Sequence, residues 1–528
     1  MRYLLLLSTI LLPLIVTAQT PGTVKSAIRI SARAGSLGVS SNWKEVGQAA
    51  TSFQDLDGDG IRELAFTALD VPSQGYGIFI HKIDSTGKLK AGNPIILSKG
   101  YSPLSSLTTK YPGIVDAERI GVSLTTLKDL NGNGIDEIVA GDFFKSRLYI
   151  LYMNAAGTAD SVSLIQDNFE NFSLYFNDGL LGLGGVGNLG DVNGDGVADL
   201  AAYAGTDNGY GAVYVLLMKN NGRVKGVQRL THNSGGIGAL TPNYGFGNSP
   251  VGIGDLDGDG TPDMMAGAVS STNNYRGELW TLFLKPDGSV KSYTITKPNT
   301  ATFPDTLSAR ASFAAAITPV GDLDGDSVID VAVSSPGYVD SLGKNYGRTY
   351  VLFMKKDGTP KARQVIDRYY GNLSLPLDSF SSFGFSLFSP GDFNKDRIPD
   401  LGVGAPNARE TGAPPAASPF NGTGAIYMLS LNGVAPVQTG TGDLLQNFSD
   451  NYFLYPNPSS DRLRIRSRKQ SNSKLQVRLY DGTGQIVTTQ SGSGNVTLEI
   501  DVLSLPVGTY LIAIEDSNGT QYGKFVRN

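Results

Sequence analysis

One acidic nine-residue pattern recurs six times between residues 55 and 400, so the chain must fold as a repeat array. Three copies are Asp55-Leu-Asp57-Gly-Asp59-Gly-Ile61-Arg-Glu63, Asp129-Leu-Asn131-Gly-Asn133-Gly-Ile135-Asp-Glu137 and Asp191-Val-Asn193-Gly-Asp195-Gly-Val197-Ala-Asp199. The other three are Asp255-Leu-Asp257-Gly-Asp259-Gly-Thr261-Pro-Asp263, Asp322-Leu-Asp324-Gly-Asp326-Ser-Val328-Ile-Asp330 and Asp392-Phe-Asn394-Lys-Asp396-Arg-Ile398-Pro-Asp400. Their leading aspartates stand 74, 62, 64, 67 and 70 residues apart. Each interval has room for four short strands and their turns.

Every interval repeats one grammar. An apolar run follows the acidic segment, then a Gly- and Asn-rich turn, then a hydrophobic strand whose fourth residue is aromatic in five repeats: Tyr149, Tyr214, Trp280, Tyr350 and Tyr427. The first repeat is expected to depart, with Ile80. A glycine turn and a fourth strand complete the unit. No window holds a sustained 3.6-residue apolar period, which disfavours helical repeats. With 66 glycines among 528 residues and only 17 % charged residues, the composition suits an all-β protein with many turns. Four antiparallel strands repeated about an axis make a β-propeller, here of six blades, with a seventh, degenerate blade in residues 95–120 as the alternative. The last repeat lacks a clear fourth strand, while Gly22-Thr-Val24-Lys25 to Ile30 matches the fourth-strand start at Gly222-Arg-Val224-Lys225 to Leu230. The N-terminal segment is therefore expected to complete the last blade and close the ring, removing two exposed sheet edges.

Oxygen-bearing residues at alternate positions with glycine between them let a tight loop wrap a hard cation. Positions one, three, five and nine would supply side chains and position seven a backbone carbonyl, so up to six calcium ions are expected. An EF-hand needs a glutamate at position twelve, where this chain has Phe66, Ala140, Ala202, Ala266, Val333 and Val403. Acidic turns without metal are the competing reading, disfavoured because clustered carboxylates repel unless a cation sits among them. The first, fourth and fifth loops carry four carboxylates each, the third and sixth three, and the second two. The second is expected to be the weakest site, with backbone strain at Ser327 and Arg397, where glycine usually stands.

These repeats resemble the FG-GAP repeats of the integrin α-chain propeller, over roughly residues 22–435. Phe383-Gly384 and Gly404-Ala405-Pro406 carry the two name-giving elements, Phe246-Gly247 repeats the first, and Ile120-Gly121 and Ser334-Ser335-Pro336 are degenerate versions. The resemblance implies calcium in the loop between the first and second strands of each blade; it does not imply an integrin's function.

Residues 436–450 read as a Gly- and Thr-rich linker and residues 451–528 as a small immunoglobulin-like β-sandwich, with strands at Leu463–Ile465, Leu475–Tyr480, Val496–Ile500 and Tyr510–Ile514. The words Tyr455-Pro-Asn-Pro458, Val477-Arg-Leu-Tyr-Asp-Gly-Thr-Gly484, Leu505-Pro-Val-Gly-Thr-Tyr510 and Lys524-Phe-Val-Arg527 resemble the C-terminal sorting domain of the type IX secretion system of Bacteroidetes. That resemblance implies contact with the secretion machinery, passage across the outer membrane, and surface attachment or release. Arg462, Arg464, Arg466 and Arg468 alternate, so they share one strand face, for the machinery or an anionic surface or simply for solvent. At the other end, Met1-Arg2, the apolar run from Tyr3 to Val16 and the small residues to Ala18 read as a signal peptide over residues 1–18. The run is 14 residues, short of the roughly 20 a membrane span needs, so the mature chain is expected to have no transmembrane segment.

Several functions are disfavoured by composition. A net charge of −5 offers no basic field for nucleic acid. The absence of cysteine removes disulfides, thiolate metal sites and thiol nucleophiles. His81 and His232 lie 151 residues apart, and no catalytic carboxylate pair stands outside the acidic loops. The expected function is a non-catalytic, secreted or surface-exposed module that binds a glycan or protein. A secreted polysaccharide-degrading enzyme and a purely structural surface protein are the alternatives. The second turns and the inter-blade links share the face opposite the acidic loops, and Tyr76, Tyr210, Tyr275 and Tyr346 are the candidate ligand contacts there.

Overall fold

The computed structural model describes residues 20–31, residues 43–435 apart from 71–74, 98–119, 143–146, 167–180, 206, 272–273, 301–302 and 410–421, and residues 452–527 apart from 456–460, 468–473, 482–484, 494–496, 507 and 517–518. The chain divides into two compact units, residues 1–435 and 436–528.

Six antiparallel sheets of one design fill the described part of the first unit. The third is representative: Leu181–Gly190, Asp199–Ala204, Ala212–Met218 and Val224–Leu230 pair in chain order. The first strands of successive sheets touch one another, and Ser386–Phe388 of the sixth touches Ala50–Phe53 of the first, so the six inner strands run in a closed cycle. They surround a cavity of about 580 Å³ lined by Thr51, Thr125, Asn188, Asn248, Thr318 and Ser386 among others. The arrangement is that of a β-propeller. In the first sheet Trp43–Lys44 also pairs with Glu63–Asp70, extending the inner edge. Most of residues 95–120, the span named for a seventh blade, lies outside the described residues. Ile95–Leu97 is the fourth strand of the first sheet and Ile120 opens the second.

The sixth sheet has the order expected of a ring closed by its own N-terminus. Val24–Ser31 pairs antiparallel with Ala425–Leu431, from Val24 opposite Leu431 to Ser31 opposite Ala425. The Gly22 N–H donates to the Asn432 carbonyl at 2.7 Å, and the Asn432 N–H returns to the Thr23 carbonyl at 2.7 Å.

The core is built from the repeating aromatic. Tyr149, Tyr214, Trp280, Tyr350 and Tyr427 are all buried, each opposite a small or β-branched residue of the second strand: Ala140, Ala202, Ala266, Val333 and Val403. These partners are the residues at position twelve of the acidic pattern, so that position is core and not ligand. In the first sheet the register sets Phe66 opposite Phe79, with ring centroids 5.2 Å apart. Phe79, not Ile80, holds the aromatic position, and the first repeat does not depart. Counting from the turn glycine misplaces it by one because Gly77 pairs inside the ladder, opposite Ala68, whereas Gly211, Gly277 and Gly424 stand just before the first paired residue of their strands.

The Phe-Gly elements at Phe246 and Phe383, and Phe313-Ala314 at the equivalent place, join neighbouring sheets. Phe246, Phe313 and Phe383 meet Trp280, Tyr350 and Tyr427 edge to face, at 5.0, 5.7 and 5.3 Å. Their N–H groups donate to the carbonyls of Tyr210, Arg276 and Tyr346 in the preceding sheet's second turn. Gly247 sits at φ 102°, and a Cβ there would meet Val213 Cγ2 at 2.6 Å and the Ala212 carbonyl oxygen at 2.9 Å. Glycine is required because the neighbouring backbone passes where a side chain would stand.

The second unit forms two sheets, one of Tyr452–Tyr455, Arg462–Ser467 and Leu498–Asp501, the other of Ile486–Ser493, Lys474–Tyr480, Gly508–Asp516 and Gly519–Arg527. Leu463, Ile465, Val477, Ile500, Ile512 and Phe525 bury between them. Three of these strands, Tyr452–Tyr455, Ile486–Ser493 and Gly519–Arg527, go beyond the four expected. Ile486–Ser493 alternates poorly because it packs at an edge and is half exposed throughout.

Candidate metal centres

All six acidic segments join the first and second strands of their sheets. The aspartate at position one organises each loop from within. Its carboxylate accepts the N–H of position six: Gly60 at 2.8 Å, Gly134 at 2.7 Å, Gly196 at 2.7 Å, Gly260 at 2.8 Å, Ser327 at 2.7 Å and Arg397 at 2.6 Å. The residue at position five accepts from the N–H of position seven, as Asp259 does from Thr261 at 2.9 Å. Position six needs a left-handed backbone, at φ 83° in Gly60 and 92° in Gly260. Ser327 at φ 66° and Arg397 at φ 70° adopt it with a Cβ, and Lys395, at position four of the sixth loop, is also left-handed at φ 61°.

Position nine opens the second strand, or in Asp400 directly precedes it, and is fully buried: Glu63, Glu137, Asp199, Asp263, Asp330 and Asp400. One oxygen of Asp263 accepts from Leu256 N–H at 2.9 Å and the other from Leu284 N–H at 3.0 Å, tying the loop's second residue to the end of the third strand. The same bridge recurs at Glu137, Asp199, Asp330 and Asp400. Burial pushes these carboxyls up, Glu63 and Glu137 to about 7, Asp199, Asp263 and Asp330 to about 6, and Asp400 to about 8. Backbone donors oppose the shift without cancelling it.

The donor set fits a hard cation. Carboxylate oxygens lie within 4.8 Å of one another in Asp55, Asp57 and Glu63, in Asp255, Asp257 and Asp259, and in Asp322, Asp324 and Asp330. These are the three loops with four carboxylates each. Two further oxygens of the loops, Glu63 Oε2 and Asn193 Oδ1, are buried without a well-aligned hydrogen-bond partner. A divalent ion would offer them what the protein does not.

Sequence reasoning passed over a lysine beside these loops. Lys90 Nζ lies 2.8 Å from Asp57 and 2.6 Å from Asp59, Lys225 2.7 Å from Asp195, Lys291 2.7 Å from Asp257, Lys361 2.8 Å from Asp324, and Lys25 2.9 Å from Asp396. Lys291 and Lys361 also contact Asp259 and Asp326. The hydrogen bond from Lys90 holds the Asp57 carboxyl below the usual range, and that from Lys225 does so for Asp195. The signal in the sequence is a fixed offset, three residues after the glycine of the third turn.

The four tyrosines do not form one set. Tyr210 and Tyr346 are half-buried at equivalent joints, Tyr210 stacked on His232 at 4.2 Å and Tyr346 edge-on to Tyr369 at 6.4 Å. Their carbonyls hold the next sheet's phenylalanine, and the equivalent residue in the fourth sheet is Arg276. Tyr275, one position earlier, is exposed with φ 57°. Tyr76 lies within the strand Gly75–His81 opposite Leu69, not in the turn where the sequence was expected to place it. The two longest irregular stretches of the sequence expected on that face, residues 99–118 and 407–423, fall wholly or mostly outside the described residues.

In the second unit Glu499 lies opposite Arg464 and accepts from it at 2.7 Å and from Arg462 at 3.1 Å. The carboxylate relieves the repulsion within the arginine ladder. Arg466 is exposed, and Arg468 lies outside the described residues.

Comparison with known proteins agrees with both halves of this reading. Residues 191–266 match the family described as FG-GAP-like repeat, and residues 453–528 match the secretion system C-terminal sorting domain. Integrin alpha-IIb of Mus musculus is 34 % identical over 167 residues, 30 % of this chain and 15 % of the relative. Integrin alpha-PS5 of Drosophila melanogaster is 38 % identical over 109 residues, 20 % of this chain and 9 % of the relative. Phosphatidylinositol-glycan-specific phospholipase D of Bos taurus is 30 % identical over 107 residues, 20 % of this chain and 12 % of the relative. The chain thus spans about 15 % of the length of the first of these relatives. It carries FG-GAP-like repeats similar to those of integrin α-chains and a type IX sorting domain, which marks it for secretion or export to the outer surface. No helix among the described residues is long and apolar enough to cross a membrane.

Proposed function

We propose that the chain is an exported, calcium-binding β-propeller that acts as a non-catalytic binding or adhesion module, its ligand held on the face opposite the acidic loops. Residues 1–18 serve as the signal for the first membrane, and the tail engages the type IX machinery for the second. Calcium sits in the acidic loops, held by the side chains at positions one, three, five and nine and the carbonyl at position seven, and stiffens that face.

The observation that carries the binding reading is where apolar surface is left exposed. Six of the eight exposed large hydrophobic residues described in the first unit, Tyr275, Leu342, Tyr369, Tyr370, Phe380 and Phe385, lie in or beside the second turns and inter-sheet links. Large exposed apolar groups gathered on one side of a rigid scaffold mark an interaction surface. Three of them border a cavity of about 790 Å³ on the fifth sheet, with Asp305, Asp340 and Arg348. Arg348 is spoken for: it pairs with buried Asp367 at 2.6 Å and stacks on Tyr338 at 3.6 Å. Asp305 pairs with Arg363, and Tyr369 donates to Asp340 at 3.2 Å. Tyrosine faces beside carboxylate acceptors suit a sugar ring, whose C–H face stacks while its hydroxyls donate.

A glycan array with the calcium-loaded protein tests this. Tyr369→Ala with Tyr370→Ala should abolish glycan binding and leave calcium content and melting temperature unchanged. Release of reducing sugar from a polysaccharide panel would overturn the non-catalytic reading, and full binding by the double variant would remove this cavity from it.

A further inference from the structure

The lysine beside each acidic loop varies with the loop's charge. Five sheets place a lysine three residues after the third-turn glycine: Lys90, Lys225, Lys291, Lys361 and, from the N-terminal strand, Lys25. In each of those sheets position three or five of the loop is aspartate, and the ammonium contacts aspartate there. In the third and sixth loops, where position three is Asn193 or Asn394, the lysine pairs with the aspartate at position five. The second loop has Asn131 and Asn133 at both positions, and there the fourth strand carries Asp160 in the lysine's place. Asp160 accepts a hydrogen bond from Asn154 at 2.6 Å. Charge on the strand and charge on the loop have exchanged together.

We propose that the five lysines are tethered counter-cations of the loop aspartates at positions three and five and compete with calcium for those carboxylates. This rests on the calcium reading above. An ammonium 2.6–2.9 Å from the same carboxylates repels a divalent ion placed among them. The lysine therefore lowers calcium affinity and at the same time relieves the repulsion between carboxylates when calcium is absent. The second loop has fewer ligand charges but no such competitor. In the sixth sheet the lysine belongs to the closing strand, so calcium entry there loosens one attachment of the N-terminus.

The lysine side chains are a quarter to a half exposed, so Lys→Gln variants should fold. Calcium titration by calorimetry, on the full mature chain and on the variant carrying Lys25, Lys90, Lys225, Lys291 and Lys361 all changed to glutamine, reads the proposal. The variant should bind calcium roughly two- to fivefold more tightly at the affected sites, the worth of a surface ion pair. Its melting temperature in chelator should fall below that of the parent, and calcium should restore it. Unchanged affinity with calcium bound by both proteins overturns the lysine proposal alone. No calcium bound by the parent overturns the calcium reading itself. Should the fivefold variant fail to fold, Lys225→Gln alone serves: its calcium-induced rise in melting temperature should exceed the parent's, and an equal rise overturns the proposal.

Discussion

Lys25 in the N-terminal strand contacts Asp396 of the sixth acidic loop at 2.9 Å, across 371 residues of chain. The pair fastens the segment that closes the ring to the loop of the sheet it completes. Asn432 adds a second fastening, donating to Thr23 Oγ1 at 2.9 Å. Closure of the ring is therefore both a strand pairing and a polar clasp, and the two can be tested apart.

Removing residues 20–31 deletes the whole outer strand of the sixth sheet and exposes the far edge of Ala425–Leu431. Val24 and Ile30 are buried, and their burial alone is worth about 1.5–3 kcal/mol each. Thermal unfolding should shift down steeply and aggregation rise. A truncated chain that melts at the parent's temperature would show that the clasp is dispensable. Lys25→Gln, by contrast, should change stability by less than about 1 kcal/mol.

Excess chelator should lower the melting temperature, because the carboxylates of the first, fourth and fifth loops then face one another. Asp255→Ala removes both a ligand and the acceptor of the Gly258 and Gly260 N–H groups. Bound calcium, measured by atomic absorption, should fall by one ion per chain, and the fourth sheet should lose protection in hydrogen exchange. Undiminished calcium content would contradict the assignment of that loop.

Two glycines with similar backbone angles should behave differently. Gly247→Ala puts a Cβ 2.6 Å from Val213 Cγ2 and 2.9 Å from a carbonyl oxygen of the neighbouring sheet. Gly58→Ala has positive φ but nothing within 4 Å. Gly58→Ala should cost about 1 kcal/mol of conformational strain, and Gly247→Ala that strain plus a clash, about 2–4 kcal/mol together. Denaturant titrations of the two variants compare them directly, and equal losses would remove the inter-sheet contact as the reason for the glycine.

A chain ending at residue 437 should fold and bind calcium as the full chain does, because residues 1–435 form a compact unit. In a host with type IX secretion it should accumulate in the periplasm. Its appearance on the cell surface would show that residues 451–528 are not the sorting signal.

The recurring acidic loop, the four-strand unit, the closing strand and the sorting tail were all legible in the sequence. Each is written as a local pattern recurring at a fixed period or in a fixed order of words. The acidic clusters were legible for the same reason, since position in a nine-residue loop dictates which side chains come together. What the sequence left undecided were matters of register and of contact between distant segments. Whether Phe79 or Ile80 faces Phe66 depends on where Gly77 falls in the strand pairing, and a shift of one residue turns a strand's side chains to the other face. Tyr210 and Tyr346 look like a set with Tyr275, yet their equivalent is Arg276, because the joint is defined by a hydrogen bond to the next sheet. The lysines lie about 30 residues from the loop carboxylates they contact, and in the sixth sheet 371, as with Lys90 and Asp59 or Lys25 and Asp396. Only folding brings those charges together, since strand pairing sets the fourth strand beside the loop whatever their separation along the chain.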